Sequence, residues 1–264
     1  MKISYASASE PRLDAALESW KKWPVECKHK PQLIRSLSNG STNKSFLIRC
    51  GQYEYCLRIN AANESALGIN RALERRVLKT LEPLAIAPKI LYHSSHLKYT
   101  LLTYISGQAW TRNDCSRLGQ RDRLFKLIDK FQRLELEVEP MDYGKYLLNY
   151  VKCLETMGKP LAGKTLEEFN KFWEVSSHSL QKGWQPVLCH HDLIPENIVE
   201  TEQGLKILDW EYAGLGHPEF DKRYTYQCIC GSSEEALVSL KSGTFIDQLI
   251  YWLVLLWRRV NTLK

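Results

Sequence analysis

The chain has 264 residues, 44% of them hydrophobic and 25% charged, and a formal net charge of +6. That balance excludes a disordered, collagen-like or disulfide-scaffold protein, and the length allows one large domain or two lobes. No Lys/Arg block marks a nucleic-acid tail, and the mild positive charge suits anionic small ligands such as nucleotides.

The first residues show no basic stretch followed by an apolar run, so a secretory leader is not expected. The eight cysteines are scattered without zinc spacing, which implies reduced, structural thiols in a cytoplasmic protein. Residues 9–23 put Leu13, Ala16, Leu17 and Trp20 on one face and predict an amphipathic helix packed on the core. Strands are predicted at 33–37, 44–49 and 53–59. Asn39-Gly40, between the first two, is a hairpin signal, and Gly51-Gln52 turns the second into the third. Arg58 is the one cation inside the third strand. It is either an outward-facing surface group or a ligand whose planar fork contacts phosphate.

A helix over 64–81 turns Leu67, Leu73, Val77, Leu78 and Leu81 inward. Glu74 lies among Arg71, Arg75 and Arg76, so it is either a surface salt-bridge residue or the partner of Arg58. Strands follow at 86–92 and 99–105, completing a small lobe of five strands and one helix. Ser106-Gly107 breaks the pattern and places a hinge at 103–107. Beyond it helical spacing dominates, at 117–138, 143–154, 166–180, 220–230, 234–240 and 245–260. The apolar run at 249–257 is far shorter than the roughly 20 residues of a membrane span, so it reads as a buried helix.

The stretch 187–211 carries the chemistry. Its apolar runs at 187–189 and 205–208 have strand length, and Thr201-Glu202-Gln203-Gly204 is a turn signal. The pattern predicts a hairpin of these two runs, with Asp192, Asn197 and Asp209 gathered at one end. Carboxylate, amide and carboxylate are hard oxygen ligands and proton acceptors, as magnesium-dependent phosphoryl transfer requires. Asp192 can take a proton from an attacking hydroxyl, Asn197 and Asp209 can hold Mg²⁺ across nucleotide phosphates, and His190 can hold the loop by hydrogen bonds.

The spacing His190-x-Asp192-x₄-Asn197 followed by Asp209 resembles the aminoglycoside phosphotransferase and choline kinase superfamily. The run from Gly204 to Gly214 is most similar to bacterial thiamine kinases and choline kinases. His191 and Trp210-Glu211 stand where protein kinases carry other residues, which points to small-molecule acceptors. The resemblance implies an α+β, two-lobed protein-kinase-like fold with the site in the cleft between lobes. Residues 1–105 would be the nucleotide-binding lobe and 106–264 the catalytic and acceptor-binding lobe. It implies ATP and Mg²⁺ as cofactors and a small-molecule alcohol as acceptor, with neither nucleic acid nor membrane as partner. It places Asn39, Gly40, Ser41, Thr42 and Asn43 in a loop covering the nucleotide, where small residues let backbone N–H groups approach phosphate. Arg58 would contact phosphate with Glu74 behind it, and the backbone at Thr103 and Tyr104 would hold adenine.

Acceptor identity is the least constrained feature. Glu211 would favour a cationic alcohol, or support the metal site. Trp252 is one wall of an aromatic pocket for a cation, or core. The leading acceptors are thiamine and choline or ethanolamine. An aminoglycoside-modifying kinase and a non-catalytic nucleotide-binding protein are the alternatives.

Overall fold

The computed structural model describes residues 11–37, 42–62, 64, 66–177, 183–230 and 240–261. Asn39, Gly40 and Ser41 lie outside these residues, as does all but the last residue of the helix expected at 234–240. The chain divides into two compact units, 1–62 with 88–105 and 63–87 with 106–264.

The first unit is an antiparallel sheet of β1 (Gln32–Ser36), β2 (Lys44–Cys50), β3 (Tyr53–Ile59), β4 (Ile90–His93) and β5 (Tyr99–Thr103) in the order β1-β2-β3-β5-β4. Alternation in β2 and β3 aims Phe46, Ile48, Leu57 and Ile59 at one core. Helix α1 (Pro11–Glu18) closes that core with Leu13, Ala16 and Leu17. Trp23 follows a single 3-10 turn and donates its indole N–H to Tyr99 Oη at 3.0 Å. The helix expected at 9–23 is therefore shorter and tightens at its end.

In the second unit the helix expected from residue 64 begins later, as α2 (Arg71–Thr80). Gly68 sits at φ +74°, a conformation that interrupts a right-handed helix. Asn70 then caps α2, its Oδ1 accepting from the backbone N–H of Ala72 and Leu73 at 3.1 Å each. The preceding irregular segment is pinned by α5 (Tyr143–Thr156): Tyr146 donates to Gly68 O at 2.7 Å and Tyr150 to Leu67 O at 3.2 Å. Tertiary hydrogen bonds thus override the apolar periodicity over 64–70.

A short α3 (Arg112–Ser116), opened by a capping box at Thr111, precedes α4 (Leu118–Phe131). The expected continuation to 138 fails because Leu-Glu-Leu-Glu-Val-Glu alternates with period two and runs into Pro140. Helices α6 (Gly163–Ser176), α7 (Phe220–Cys230) and α8 (Phe245–Asn261) follow the expected positions. Helices α5, α6 and α8 share one core, built from Leu147, Tyr150, Leu154, Phe169, Leu249 and Leu256. No helix of the described residues is long and apolar enough to cross a membrane.

The strands of this unit correct one expectation. Strands β7 (Val187–Cys189) and β9 (Gly204–Ile207) are not partners. β7 pairs β10 (Gly214–Gly216), while β9 pairs β8 (Ile198–Thr201), which also pairs β6 (Gln108–Ala109). The turn at Thr201 to Gly204 is real, but it joins β8 to β9. Ile198 and Val199 supply the partner, and the glycines at 214 and 216 disguise β10 as a loop.

Candidate functional site

Three elements converge on the segment from His190 to Asn197. It leaves β7, runs through a 3-10 turn at Pro195–Asn197 and enters β8. Ile198 pairs with Ile207, and Leu208 N donates to Asn197 O at 2.8 Å. Asn197 and Asp209 therefore emerge at the same end of the β8–β9 hairpin. Asp209 sits at φ +56°, a left-handed conformation that Asp tolerates better than most residues.

His190 is fully buried and bridges this arrangement. Asp192 N donates to its Nδ1 at 3.2 Å, so Nε2 carries the proton and donates to Leu208 O at 2.7 Å. One imidazole thus ties the backbone of Asp192 to the residue before Asp209. Burial pushes its pKa down to about 4, so it is a neutral strut. His191, at φ +65°, is held the same way: Nδ1 lies 3.1 Å from Tyr212 O and Nε2 lies 2.9 Å from Tyr143 Oη. Tyr143 Oη accepts from His217 N at 2.9 Å and donates to His191, so His191 Nδ1 carries the proton. Burial, reinforced by His190, pushes His191 down to about 3.

Asp221, in the first turn of α7, is fully buried. Its two oxygens accept from the N–H groups of His190 and His191 at 2.8 and 2.9 Å. Burial raises its carboxyl to about 6 while these two donors oppose the rise. The clamp fixes two consecutive peptides just before Asp192.

Asp192 itself is fixed by side chains. Oδ1 accepts from Tyr224 Oη at 3.2 Å and Oδ2 from Asn197 Nδ2 at 3.3 Å. Asn197 Nδ2 also donates to Asp192 O at 2.9 Å, which turns the Asn197 amide oxygen away from Asp192. Burial pushes the Asp192 carboxyl up to about 7; Glu211 and Glu196 add to the rise, and Tyr224 and Asn197 oppose it. A carboxyl poised near neutrality is suited to accepting a proton. The surface of Asp192 is only partly covered, so the group is reachable even though its surroundings desolvate it.

Glu211 belongs to a second cluster. Arg71 Nη1 lies 2.8 Å from Glu74 Oε2 and 3.0 Å from Glu211 Oε2, and its Nε lies 2.6 Å from Glu64 Oε1. Arg71, Glu74 and Glu211 are all buried. One guanidinium therefore serves three carboxylates, and it tethers the chain just after Asp209 to α2.

Of the remaining expected residues, Arg58 is 4% exposed, which rules out a surface role. Its Nε donates to Asn60 Oδ1 at 3.1 Å. Asn43 is buried, its Oδ1 accepting from Ala61 N at 3.2 Å, and Thr42 precedes it. Thr103 N donates to Lys89 O at 3.0 Å, and Tyr104 Oη accepts from Arg35 at 3.3 Å. Trp252 is 2% exposed and packs edge-on to Phe169 at 5.1 Å, in the helical core.

The structure thus brings His190, Asp192, Asn197 and Asp209 together, with Glu211 joined to Arg71 and Glu74. Sequence reasoning gave Arg71, Tyr143 and Asp221 no role in the site, and gave Tyr224 none at Asp192. Helical spacing shows which face a residue occupies, not which loop it meets. Mg²⁺ fits the donor set: the Asn197 amide oxygen and the Asp209 carboxylate are hard oxygen donors. Among the described residues no three His, Cys, Asp or Glu side chains form a metal cage. Mg²⁺ held by one or two protein oxygens plus phosphate and water needs none.

A five-stranded antiparallel sheet, a mainly helical second unit and this Asp/Asn/Asp set together define the α+β, two-lobed protein-kinase-like fold. Within that class the chain belongs to the phosphotransferase enzyme family, whose profile matches residues 33–237. It is 27% identical over 237 residues to Protein LicA of Haemophilus influenzae, covering 83% of this chain and 62% of that one. The chain therefore spans less than two thirds of that relative's length. The crystal structure of choline kinase LicA from Streptococcus pneumoniae superposes with a TM-score of 0.68 at 18% identity, over 97% of this chain and 91% of that one. A choline/ethanolamine kinase family protein from Mesorhizobium loti gives 0.68 at 19% identity, over 95% and 86%.

Proposed function

We propose that this protein transfers the γ-phosphoryl group of ATP to the hydroxyl of a small alcohol, with choline or ethanolamine as the leading acceptors and thiamine next. The observation that carries this reading is the carboxylate of Asp192, oriented by Asn197 and Tyr224 beside the hairpin end that presents Asp209. Asp192 accepts the proton of the incoming hydroxyl as the new O–P bond forms and the bond to the ADP leaving group breaks. Because this transition state is loose, orientation of the hydroxyl counts alongside proton removal. Asn197 and Asp209 would hold Mg²⁺, which when bound offsets phosphate charge.

Residues 1–105 serve the nucleotide in this reading and 106–264 serve catalysis and the acceptor. In this reading Asn39, Gly40, Ser41, Thr42 and Asn43 would cover the phosphates, Arg58 would contact them, and the backbone at Thr103 and Tyr104 would hold adenine. Glu74 and Glu211 act through Arg71. ATP as donor makes the cytoplasm the place of work. The acceptor choice is supported by the names of the relatives, a choline kinase and a choline/ethanolamine kinase family protein. The intact Asp192, Asn197 and Asp209 argue against a non-catalytic nucleotide binder.

The test is ADP release by the purified full chain with Mg-ATP against choline, ethanolamine, thiamine, sugars and aminoglycosides. The expected result is turnover with choline or ethanolamine and a matching amount of phosphorylated product. Turnover confined to aminoglycosides would overturn the acceptor class. Tight Mg-ATP binding without turnover across the panel would overturn the enzyme itself.

A further inference from the structure

Tyr224 stands out among the groups around Asp192 because its position does not follow from the motif. It lies one helical turn beyond Asp221 on α7, so the helix that clamps the His190 and His191 peptides also delivers a phenol to the carboxylate two residues on. The hydroxyl is 3.2 Å from Asp192 Oδ1, and the ring stacks on Phe220 at 6.0 Å with planes 28° apart. The next residue, Thr225, is fully buried and donates from Oγ1 to Leu193 O at 3.1 Å. The backbone on both sides of Asp192 is therefore registered against the same helix, and Tyr224 has little freedom to be elsewhere.

Asn197 alone does not set the carboxylate plane. Its amide holds Oδ2 at 3.3 Å and spends its better hydrogen bond on Asp192 O at 2.9 Å, while Tyr224 holds Oδ1 at 3.2 Å, so both contacts to the carboxylate are long and neither alone fixes it. Rotation about the Cβ–Cγ bond of Asp is broad and roughly two-fold, so a second donor is needed to select one plane. Tyr224 is that donor. Its hydroxyl also occupies the same oxygen's surroundings that a substrate hydroxyl would need, so the acceptor must approach along a direction the phenol leaves open.

We propose that Tyr224 is a positioning residue for phosphoryl transfer, its hydroxyl selecting the plane of the Asp192 carboxylate that meets the incoming alcohol. The inference rests on the reading of Asp192 as proton acceptor, and it adds a residue to that reading without changing the acceptor class. Tyr224 does not hold the nucleotide, so its hydroxyl acts on the rate of transfer and not on ATP binding.

The test is a double-mutant cycle on the full chain, read by single-turnover transfer from Mg-ATP to choline and by basal Mg-ATP hydrolysis by water. Tyr224→Phe keeps the ring on Phe220 and removes only the hydroxyl, so the thermal midpoint should stay at the parent value. In the parent background the transfer rate should fall roughly tenfold, on the order expected for losing a hydrogen bond to a charged group, with the KM for ATP within twofold. In an Asp192→Asn background the same substitution should change the rate less than twofold, because the group it acts through is gone. An unchanged rate for Tyr224→Phe, or an equal loss in both backgrounds, would overturn the positioning role. A parent-like rate for Asp192→Asn alone, or no transfer to either choline or water, would overturn the reading beneath it instead.

Discussion

At the scale of single residues, the site is held by neutral struts and one overcommitted cation. His190 and His191 are kept uncharged by burial, so each can accept at one ring nitrogen and donate at the other. That dual capacity is what lets the neutral imidazole of His190 connect Asp192 N to Leu208 O, and a protonated ring, which only donates, would lose the first of these bonds. Arg71 does the opposite work, gathering Glu64, Glu74 and Glu211 around one charge. Removing one member of a buried ion cluster costs more than the cluster itself contributes, because desolvated charges remain. Arg71→Met should therefore destabilise the chain by about 3–5 kcal/mol, and Arg71→Lys should recover only part of that, since an ammonium cannot reproduce the fork. The measurement is the urea midpoint of each variant. A midpoint for Arg71→Met equal to the parent's would show that the cluster is not a structural anchor.

At the scale of elements, β10 and β7 are joined so tightly that a side chain has no place between them and the histidine loop. A Cβ on Gly216 would lie 2.4 Å from both His191 Nε2 and Tyr143 Oη. Neither neighbour can yield: His191 is held at both ring nitrogens, and Tyr143 is buried and stacked on Phe220 at 5.8 Å. Gly216→Ala should cost about 1–3 kcal/mol by overpacking, and it should slow transfer as well because the displaced ring belongs to the residue next to Asp192. Equal denaturation midpoints and equal rates for the two proteins would contradict this packing argument. The same strands show what was legible in the sequence. Strands β2 and β3 could be read directly, since alternation and a two-residue turn are local features. The pairing of β7 with β10 could not, because Gly-Leu-Gly carries no strand signal and the partner lies beyond an intervening hairpin. The start of α2 was hidden for a related reason: Leu67 is apolar and correctly spaced, yet hydrogen bonds from α5 draw that segment out of helix. The juxtaposition of Asp192, Asn197 and Asp209 was legible because it lies in residue type and spacing. Arg71, Asp221 and Tyr224 were not, because each reaches the site from a helix whose docking is set by tertiary contacts.

At the scale of the whole molecule, two units of different construction divide the chain. A sheet with its own core makes up the first, and helices and short strand pairs make up the second. The second unit contains every residue proposed for proton transfer and metal binding, all fixed by the contacts of α7, β7, β8 and β9. The phosphoryl-transfer site proposed for that unit is organised on Asp192. The most direct test is single-turnover phosphoryl transfer by Asp192→Asn at saturating Mg-ATP and acceptor. Asn keeps the shape of the side chain and removes its charge, so the rate should be lower by roughly 10²–10⁴, with ATP affinity little changed. A rate within a few-fold of the parent protein would contradict the assignment of Asp192, and with it the reading of this cluster as the active site of a kinase.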